Sequence, residues 1–256
     1  MDFVTINNVS YAYTATPPVV SDINWNIQRG EFHSLVGRSG CGKTTLLKII
    51  AGLLNPTAGD IFIESSPVKR PSFKTGFVFQ APTLLEWLSV LENVLLPLSI
   101  QKTEKTSQNA CGLAVLKTVG LEDYADRYPS ELSGGQQSRV AIARALITDP
   151  LLLLMDEPFA ALDAMTREEL QIDLLELCAE KKTTVLFVTH DISEAVYLSD
   201  KVAVMADGLI LNEFIIDIEK PRKHNTRYQP KFNSLCLDIR NSMKTPSPRT
   251  VIRSGL

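Results

Sequence analysis

Apolar residues recur along this chain with two different periods. Val4-Thr5-Ile6-Asn7-Asn8-Val9-Ser10 and Ile23-Asn24-Trp25-Asn26-Ile27 broadly alternate apolar with polar positions, as a strand with one buried face does. Arg29-Gly30-Glu31 ends the second run with a turn, and Glu31–Val36 predicts a short strand after it. Lys43–Leu53 then changes to helical spacing, with Leu46, Leu47, Ile50 and Leu54 on one face. Further strands are expected at Gly59–Glu64 and Thr75–Phe79. Leu151–Met155, Thr184–Val188 and Lys201–Met205 are mostly apolar runs of strand length, suited to central strands covered on both faces. Thr166-Arg167-Glu168-Glu169 matches a capping box and predicts a helix start there, with Leu170, Leu174 and Leu177 as the apolar face. Residues 84–145 have a different character: leucine-rich helical pieces, broken at Pro97 and across Gln101–Asn109, predict a helical insertion. Strands alternating with helices predict an α/β fold built on a mainly parallel sheet.

Composition narrows the class. The chain has 256 residues, 45% hydrophobic and 21% charged, which excludes a disordered or fibrous protein. The formal charge of −3 gives no reason to expect nucleic acid as a partner. Residues 219–256 nevertheless carry nine Lys/Arg against Glu219 and Asp238. That basic end reads as a solvated tail, with phosphate headgroups or an acidic partner as the other reading. No apolar run reaches the roughly 20 residues needed to span a bilayer. Met1-Asp2-Phe3-Val4-Thr5 lacks the basic flank and long apolar core of a signal peptide. Cys41, Cys111, Cys178 and Cys236 are far apart with no CxxC pair, so reduced thiols are expected rather than a disulfide frame or zinc site.

Gly37-Arg38-Ser39-Gly40-Cys41-Gly42-Lys43-Thr44 fits G-x-x-x-x-G-K-[ST], between a predicted strand and a predicted helix. Glycines let consecutive backbone N–H groups turn inward onto phosphate oxygens, and the following helix adds its positive end. Lys43 is expected at the β- and γ-phosphates, and the Thr44 hydroxyl on Mg²⁺. Asp156 and Glu157 end the apolar run Leu151–Met155. The first suits orientation of Mg²⁺ through its waters, and the second suits polarisation of an attacking water. His190 and Gln80 each follow a predicted strand end; taken alone, each reads more readily as structural or surface.

Leu132-Ser133-Gly134-Gly135-Gln136 changes that weighing. Together with Gly37–Thr45, Gln80, Asp156-Glu157 and His190, in this order, it makes the chain resemble the ATP-binding subunit of an ABC transporter from about residue 3 to about 215. The resemblance implies a RecA-like P-loop NTPase fold with an N-terminal antiparallel β portion and an inserted helical subdomain. The ATPase domain would cover 1–218, the helical subdomain about 84–145, and a basic extension 219–256.

The resemblance also assigns roles. Gly37, Arg38, Ser39, Gly40, Cys41, Gly42, Lys43, Thr44 and Thr45 would bind ATP, and Tyr13 would stack on adenine, with Tyr11 as its competitor. Thr44, Gln80 and Asp156 would serve Mg²⁺. Glu157, His190 and Gln80 would be catalytic. Ser133, Gly134, Gly135 and Gln136 would hold the γ-phosphate of ATP bound by an opposite copy, and Asp163 would serve the dimer contact. Ala161, Ser138 and Glu86 depart from residues common in the family, without removing a phosphate or metal ligand. Phe77–Trp87 is similar to importers of nitrate, sulfonate, taurine or thiamine-related pyrimidines. The implied partners are a second copy head to tail, transmembrane permease subunits and, indirectly, an extracytoplasmic solute-binding protein, at the inner face of the cell membrane. An exporter subunit, or a non-transport ATPase of ribosomes or DNA, is the competing reading.

Overall fold

The computed structural model describes residues 2–13, 17–101 and 108–244. Part of the expected polar break at 101–109, and Arg249 and Arg253 of the basic end, lie outside the described residues. In chain order the elements are β1 (Asp2–Tyr11), β2 (Val20–Gln28), β3 (Phe32–Val36), α1 (Lys43–Ile50), β4 (Ala58–Ile63), β5 (Ser66–Pro67) and β6 (Thr75–Val78). They continue with α2 (Val90–Ile100), α3 (Gln108–Thr118), α4 (Gly134–Leu146), β7 (Leu152–Asp156) and α5 (Ala164–Lys181). The chain then forms β8 (Thr184–Thr189), α6 (Ile192–Leu198), β9 (Lys201–Ala206), β10 (Leu209–Ile215) and α7 (Pro230–Ser242). They fall into two compact units: the described residues within Met1–Ser72 and Thr184–Leu256, and those within Phe73–Thr183.

The first unit carries two sheets. Its antiparallel sheet has the order β2-β1-β4-β5. The alternation read in the sequence is seen directly: Ile23, Trp25 and Ile27 are buried while Asp22, Asn24 and Asn26 are exposed. The pairing of β1 with β2 shifts register between Ile6 and Val9, where Asn8 takes φ 50° and its amide donates to Asp22 Oδ1 at 2.8 Å. The second sheet places β3 between β8 and β9, parallel to both, with β10 antiparallel outside β9. All five residues of β3 and all six of β8 are buried, which explains the absence of alternation in their sequences. α1 packs on β8, and its Leu46, Leu47 and Ile50 are buried.

The basic end differs from the solvated tail expected for it. α7 packs on α6 and β10, and Phe232 and Ile239 are buried. Arg222 is buried as well; its guanidinium donates to the carbonyls of Tyr197 (2.7 Å), Val196 (3.3 Å) and Ile216 (3.5 Å). It thereby satisfies carbonyls at the C-terminus of α6 that the helix leaves open. Burial lowers the Arg222 pKa from its ordinary value. Arg227 lies 3.8 Å over the Tyr197 ring. Part of the local positive charge therefore anchors the end to the domain.

The second unit pairs β6 with β7 in parallel and surrounds them with helices. α2, α3 and α4 contact one another, and α4 also contacts β6. α2 begins with a reciprocal cap: Ser89 Oγ accepts from Glu92 N, and Glu92 Oε2 accepts from Ser89 N. Buried Asn93 uses its amide on the carbonyls of Leu85, Leu88 and Ser89 and accepts from Leu85 N, so it fixes the turn before α2. α5 begins three residues earlier than the Thr166 box predicts. Asp163 is its cap and accepts from Thr166 N at 3.1 Å, so Thr166 is already helical. An aspartate competes well with a threonine for this position, and the box pattern alone does not reveal it. The buried face of α5 is Leu170, Gln171, Leu174 and Cys178, with Leu177 half-buried.

Candidate functional site

In the first unit the candidate residues converge on the C-terminal end of β3. Val36 pairs with Thr189 of β8 and with Val204 of β9. The Gly-rich loop starting at Gly37 and the His190 backbone therefore leave adjacent parallel strands at the same end, where α/β sheets bind ligands. The glycines have separable reasons. A Cβ at Gly37 would stand 2.3 Å from the Met205 carbonyl oxygen and 2.7 Å from Cys41 Sγ. At Gly42 φ is 110° and a Cβ would meet the Val19 carbonyl oxygen at 2.6 Å. Gly40 has open space around it but a φ of 80°, which L side chains rarely adopt.

The loop curls around Lys43. Its ammonium is buried and donates to the carbonyls of Gly37 (2.8 Å) and Arg38 (3.1 Å), with Cys41 Sγ at 3.9 Å. Burial pushes the Cys41 thiol up, against the pull of Lys43, so Cys41 is a neutral packing group beneath the loop. Arg38, Ser39 and Gly40 are exposed, Thr44 is half-buried and Thr45 buried. Tyr13 reaches this loop: its hydroxyl is 3.2 Å from Thr45 Oγ1, and the residue is 58% exposed. Tyr11 meets the Tyr13 ring edge-on at 5.0 Å. Tyr13, the ring expected to stack on adenine, thus stands beside the Gly-rich loop. Substitution of Tyr13 by alanine is expected to weaken ATP affinity about tenfold, in keeping with roughly 1–3 kcal/mol for a base stacked on an aromatic ring. Tyr11→Ala should weaken it less; the reverse order in a fluorescent nucleotide titration would transfer the role.

His190 is exposed just beyond β8. The turn around it is braced. Thr189 Oγ1 donates to Glu194 Oε2 at 2.7 Å and accepts from Asp191 N, while Asp191 caps α6 through Ser193 N and Glu194 N. The His190 backbone is thus held by its neighbours on both sides, a support that the sequence reading did not identify.

The second unit collects two groups. Val78 of β6 pairs with Met155 of β7, so Gln80 follows one strand end while Asp156 and Glu157 stand at the other. Asp156 is 3% exposed, Glu157 half-buried and Gln80 exposed. Glu157 takes φ 47°, the left-handed region, which costs a non-glycine residue roughly 1–3 kcal/mol and recurs at functional sites. Two tight turns, Ala160 N to Glu157 O and Leu162 N to Phe159 O, carry the chain on to Asp163. The second group stands at the start of α4. Ser133 Oγ accepts from Gln136 N and Gln136 Oε1 from Ser133 N. Ser133 and Gly134 are exposed and a Cβ at Gly134 would meet nothing within 4 Å, leaving the helix N-terminus open. A Cβ at Gly135 would press on Leu162 at 3.0 Å, so this glycine lies beside the segment leading into Asp163. The cap hydrogen bond from the Thr166 backbone lowers the Asp163 pKa. Ser138, one of the family departures, is buried and donates to the Gly134 carbonyl at 3.1 Å.

The oxygen donors Thr44, Gln80 and Asp156 are of the hard type that Mg²⁺ prefers, and Mg²⁺ commonly uses few protein ligands together with substrate phosphates. Among the described residues there is no group of three or more His, Cys, Asp or Glu placed to hold a metal by itself. Taken singly, each of these donors has the chemistry that suits a metal arriving with a polyphosphate.

Comparison with known proteins adds an independent line. The family model described as ABC transporter matches residues 20–160. The chain is similar to the aliphatic sulfonates import ATP-binding protein SsuB of Bacillus anthracis, 46% identical over 206 residues that cover 79% of this chain and 81% of that one. It also resembles the dimeric, post-hydrolysis structure of the ATP-binding cassette MJ0796 bound to ADP and Pi. There the TM-score is 0.78 and the identity 36%, covering 84% of this chain and all of the other. The structure of cbiO1 from Clostridium perfringens, part of the ABC transporter complex cbiONQ, is similar over 100% of this chain and 99% of that one, with TM-score 0.77 and 28% identity.

Proposed function

This chain belongs to the ABC transporter ATP-binding family, with the P-loop NTPase fold and ATPase activity of that family, and we propose that it powers import of a small anionic solute. The observation that carries the reading is the open start of α4, at Ser133-Gly134-Gly135, in a chain that also holds a complete Gly-rich loop. A phosphate-binding loop alone would serve any nucleotide-binding protein. A second anion-binding helix end suits a γ-phosphate held by another copy. Two copies, head to tail, then share two ATP molecules; the dimeric MJ0796 structure supports the pairing of two copies.

Within each copy the roles follow the chemistry. The amides of Gly37–Thr45 and the Lys43 ammonium bind the phosphates, and Tyr13 stacks on the adenine. Thr44, Gln80 and Asp156 would hold Mg²⁺, which when bound neutralises phosphate charge. Glu157 accepts a proton from the attacking water as its oxygen approaches the γ-phosphorus and the bond to the β-bridging oxygen breaks. His190 donates a hydrogen bond to a γ-phosphate oxygen, and Asp163 meets the second copy. Residues 1–218 form the ATPase domain, with the helical subdomain near 84–145, and 219–256 is an extension of it.

Among the described residues, no helix is long and apolar enough to cross a membrane. As the ATPase subunit of an importer, this chain would drive permease subunits from their cytoplasmic side, with Mg²⁺-ATP as fuel; the cbiO1 neighbour, part of a transporter complex, supports such a partnership. A solute-binding protein would meet the permease outside. The SsuB relatives and the Phe77–Trp87 segment support a sulfonate or similar anion as cargo. Purification of the tagged chain from membranes in mild detergent with Mg²⁺-ATP, followed by mass spectrometry, tests this. A stoichiometric multi-spanning membrane protein is the expected companion; exclusively ribosomal or DNA-bound companions would overturn the transport reading.

A further inference from the structure

α4 presents Ser133-Gly134-Gly135 at its N-terminal end and Arg144 in its last turn. Ten residues of helix separate Gly134 from Arg144, about 15 Å along the axis at ~1.5 Å per residue. The Arg144 guanidinium reaches the loop that follows β6. Its Nη1 donates to the Thr83 carbonyl at 2.9 Å; its Nη2 donates to the Pro82 carbonyl at 2.8 Å and to Thr83 Oγ1 at 3.1 Å. Gln80 lies two residues before Pro82. Thr83 takes φ 49°, unusual for a β-branched residue, so the loop adopts a conformation that needs outside support. Burial lowers the Arg144 pKa from its ordinary value, yet the guanidinium remains the charged donor of all three bonds. The fork geometry of arginine satisfies several acceptors at once, which a lysine ammonium on a flexible stem does less well.

We propose that Arg144 is a positioning residue for Gln80: it clamps the loop carrying that side chain to the helix whose opposite end carries Ser133. Gln80 and the Ser133 end then move as one body, so engagement of the second copy's nucleotide at Ser133 is felt at Gln80. This rests on the ATPase reading of Gln80 above. Arg144 acts through Pro82 and Thr83, to which its guanidinium is bonded. Its loss should lower kcat and leave ATP affinity nearly unchanged, the signature of a lost transition-state geometry rather than of lost binding.

The test is a double-mutant cycle on ATP turnover with Arg144→Ala, Gln80→Ala and the pair, alongside nucleotide titration and thermal melts. Arg144→Ala is expected to lower kcat about tenfold with less than about a twofold change in ATP Kd. In the Gln80→Ala background the same change should cost less than about twofold, because residues acting through one another are not additive. A full tenfold further loss in that background, or a normal kcat for Arg144→Ala, would overturn the proposal. If Gln80→Ala alone leaves kcat unchanged, the role given to Gln80 fails and the Arg144 proposal fails with it. Additive losses with a slow Gln80→Ala defeat only the clamp. Should Arg144→Ala melt near the assay temperature, Arg144→Lys replaces it under the same criterion, because it keeps the charge and stem but not the fork.

Discussion

Lys43→Ala is expected to abolish ATP turnover, a fall of about a hundredfold or more, since losing one preorganised charge or donor in such a site costs roughly 10²–10³ in rate. The side chain is buried inside the loop, where it donates to the Gly37 and Arg38 carbonyls. In the role proposed for it, that ammonium meets the phosphates, so alanine leaves the β- and γ-phosphate charge without its partner. Phosphate release at saturating Mg²⁺-ATP measures the effect. A thermal melt accompanies it, because the same ammonium ties the loop to itself. Hydrolysis at the parent rate by a folded Lys43→Ala protein would remove the Gly37–Thr45 loop from the active site.

The second large effect is expected at Glu157. Glutamine keeps the shape of the side chain and places no new demand on the left-handed backbone at φ 47°. It removes only the capacity to accept a proton as water attacks. Turnover should fall by about 10²–10⁴, the range for a general base, while ATP binding is retained. Since hydrolysis would no longer reopen the dimer, gel filtration with ATP should show a species of twice the mass. A monomer with ATP that turns over normally would mean that another group activates the water.

How much of this was legible in the sequence depended on the range of the interaction concerned. Strands β1 and β2 were visible because one face of each is buried, which forces alternation on residues such as Ile23, Trp25 and Ile27. The central strands β7, β8 and β9 were visible as short, mostly apolar runs. The Gly-rich loop was legible because close approach and positive φ exclude side chains at Gly37, Gly40 and Gly42. The start of α5 was misread, since Thr166 satisfies the cap pattern locally while Asp163 wins it in the fold. The ordering of the basic end was missed because the bonds from Arg222 to Tyr197 and Val196 span about 25 residues, and no local pattern announces them. The grip of Arg144 on Thr83 spans 61 residues and was hidden for the same reason. Ser133-Gly134-Gly135-Gln136 is an intermediate case. Its reciprocal cap, seen in the fold, was not read in the sequence, and its proposed role came only from resemblance, because its proposed ligand belongs to another copy.

The bond between the Tyr13 hydroxyl and Thr45 bears on which fuel the protein selects. With that hydroxyl engaged beside the Gly-rich loop, Tyr13 in the role proposed for it would offer a nucleobase the flat face of its ring. Stacking on a face is tolerant, since every base has one. Discrimination between adenine and guanine would need donors and acceptors aimed at the edge of the base. The loop residues, by contrast, count phosphates. On the proposed reading the base is selected weakly, and GTP is expected to be hydrolysed alongside ATP, which phosphate release with each nucleotide checks.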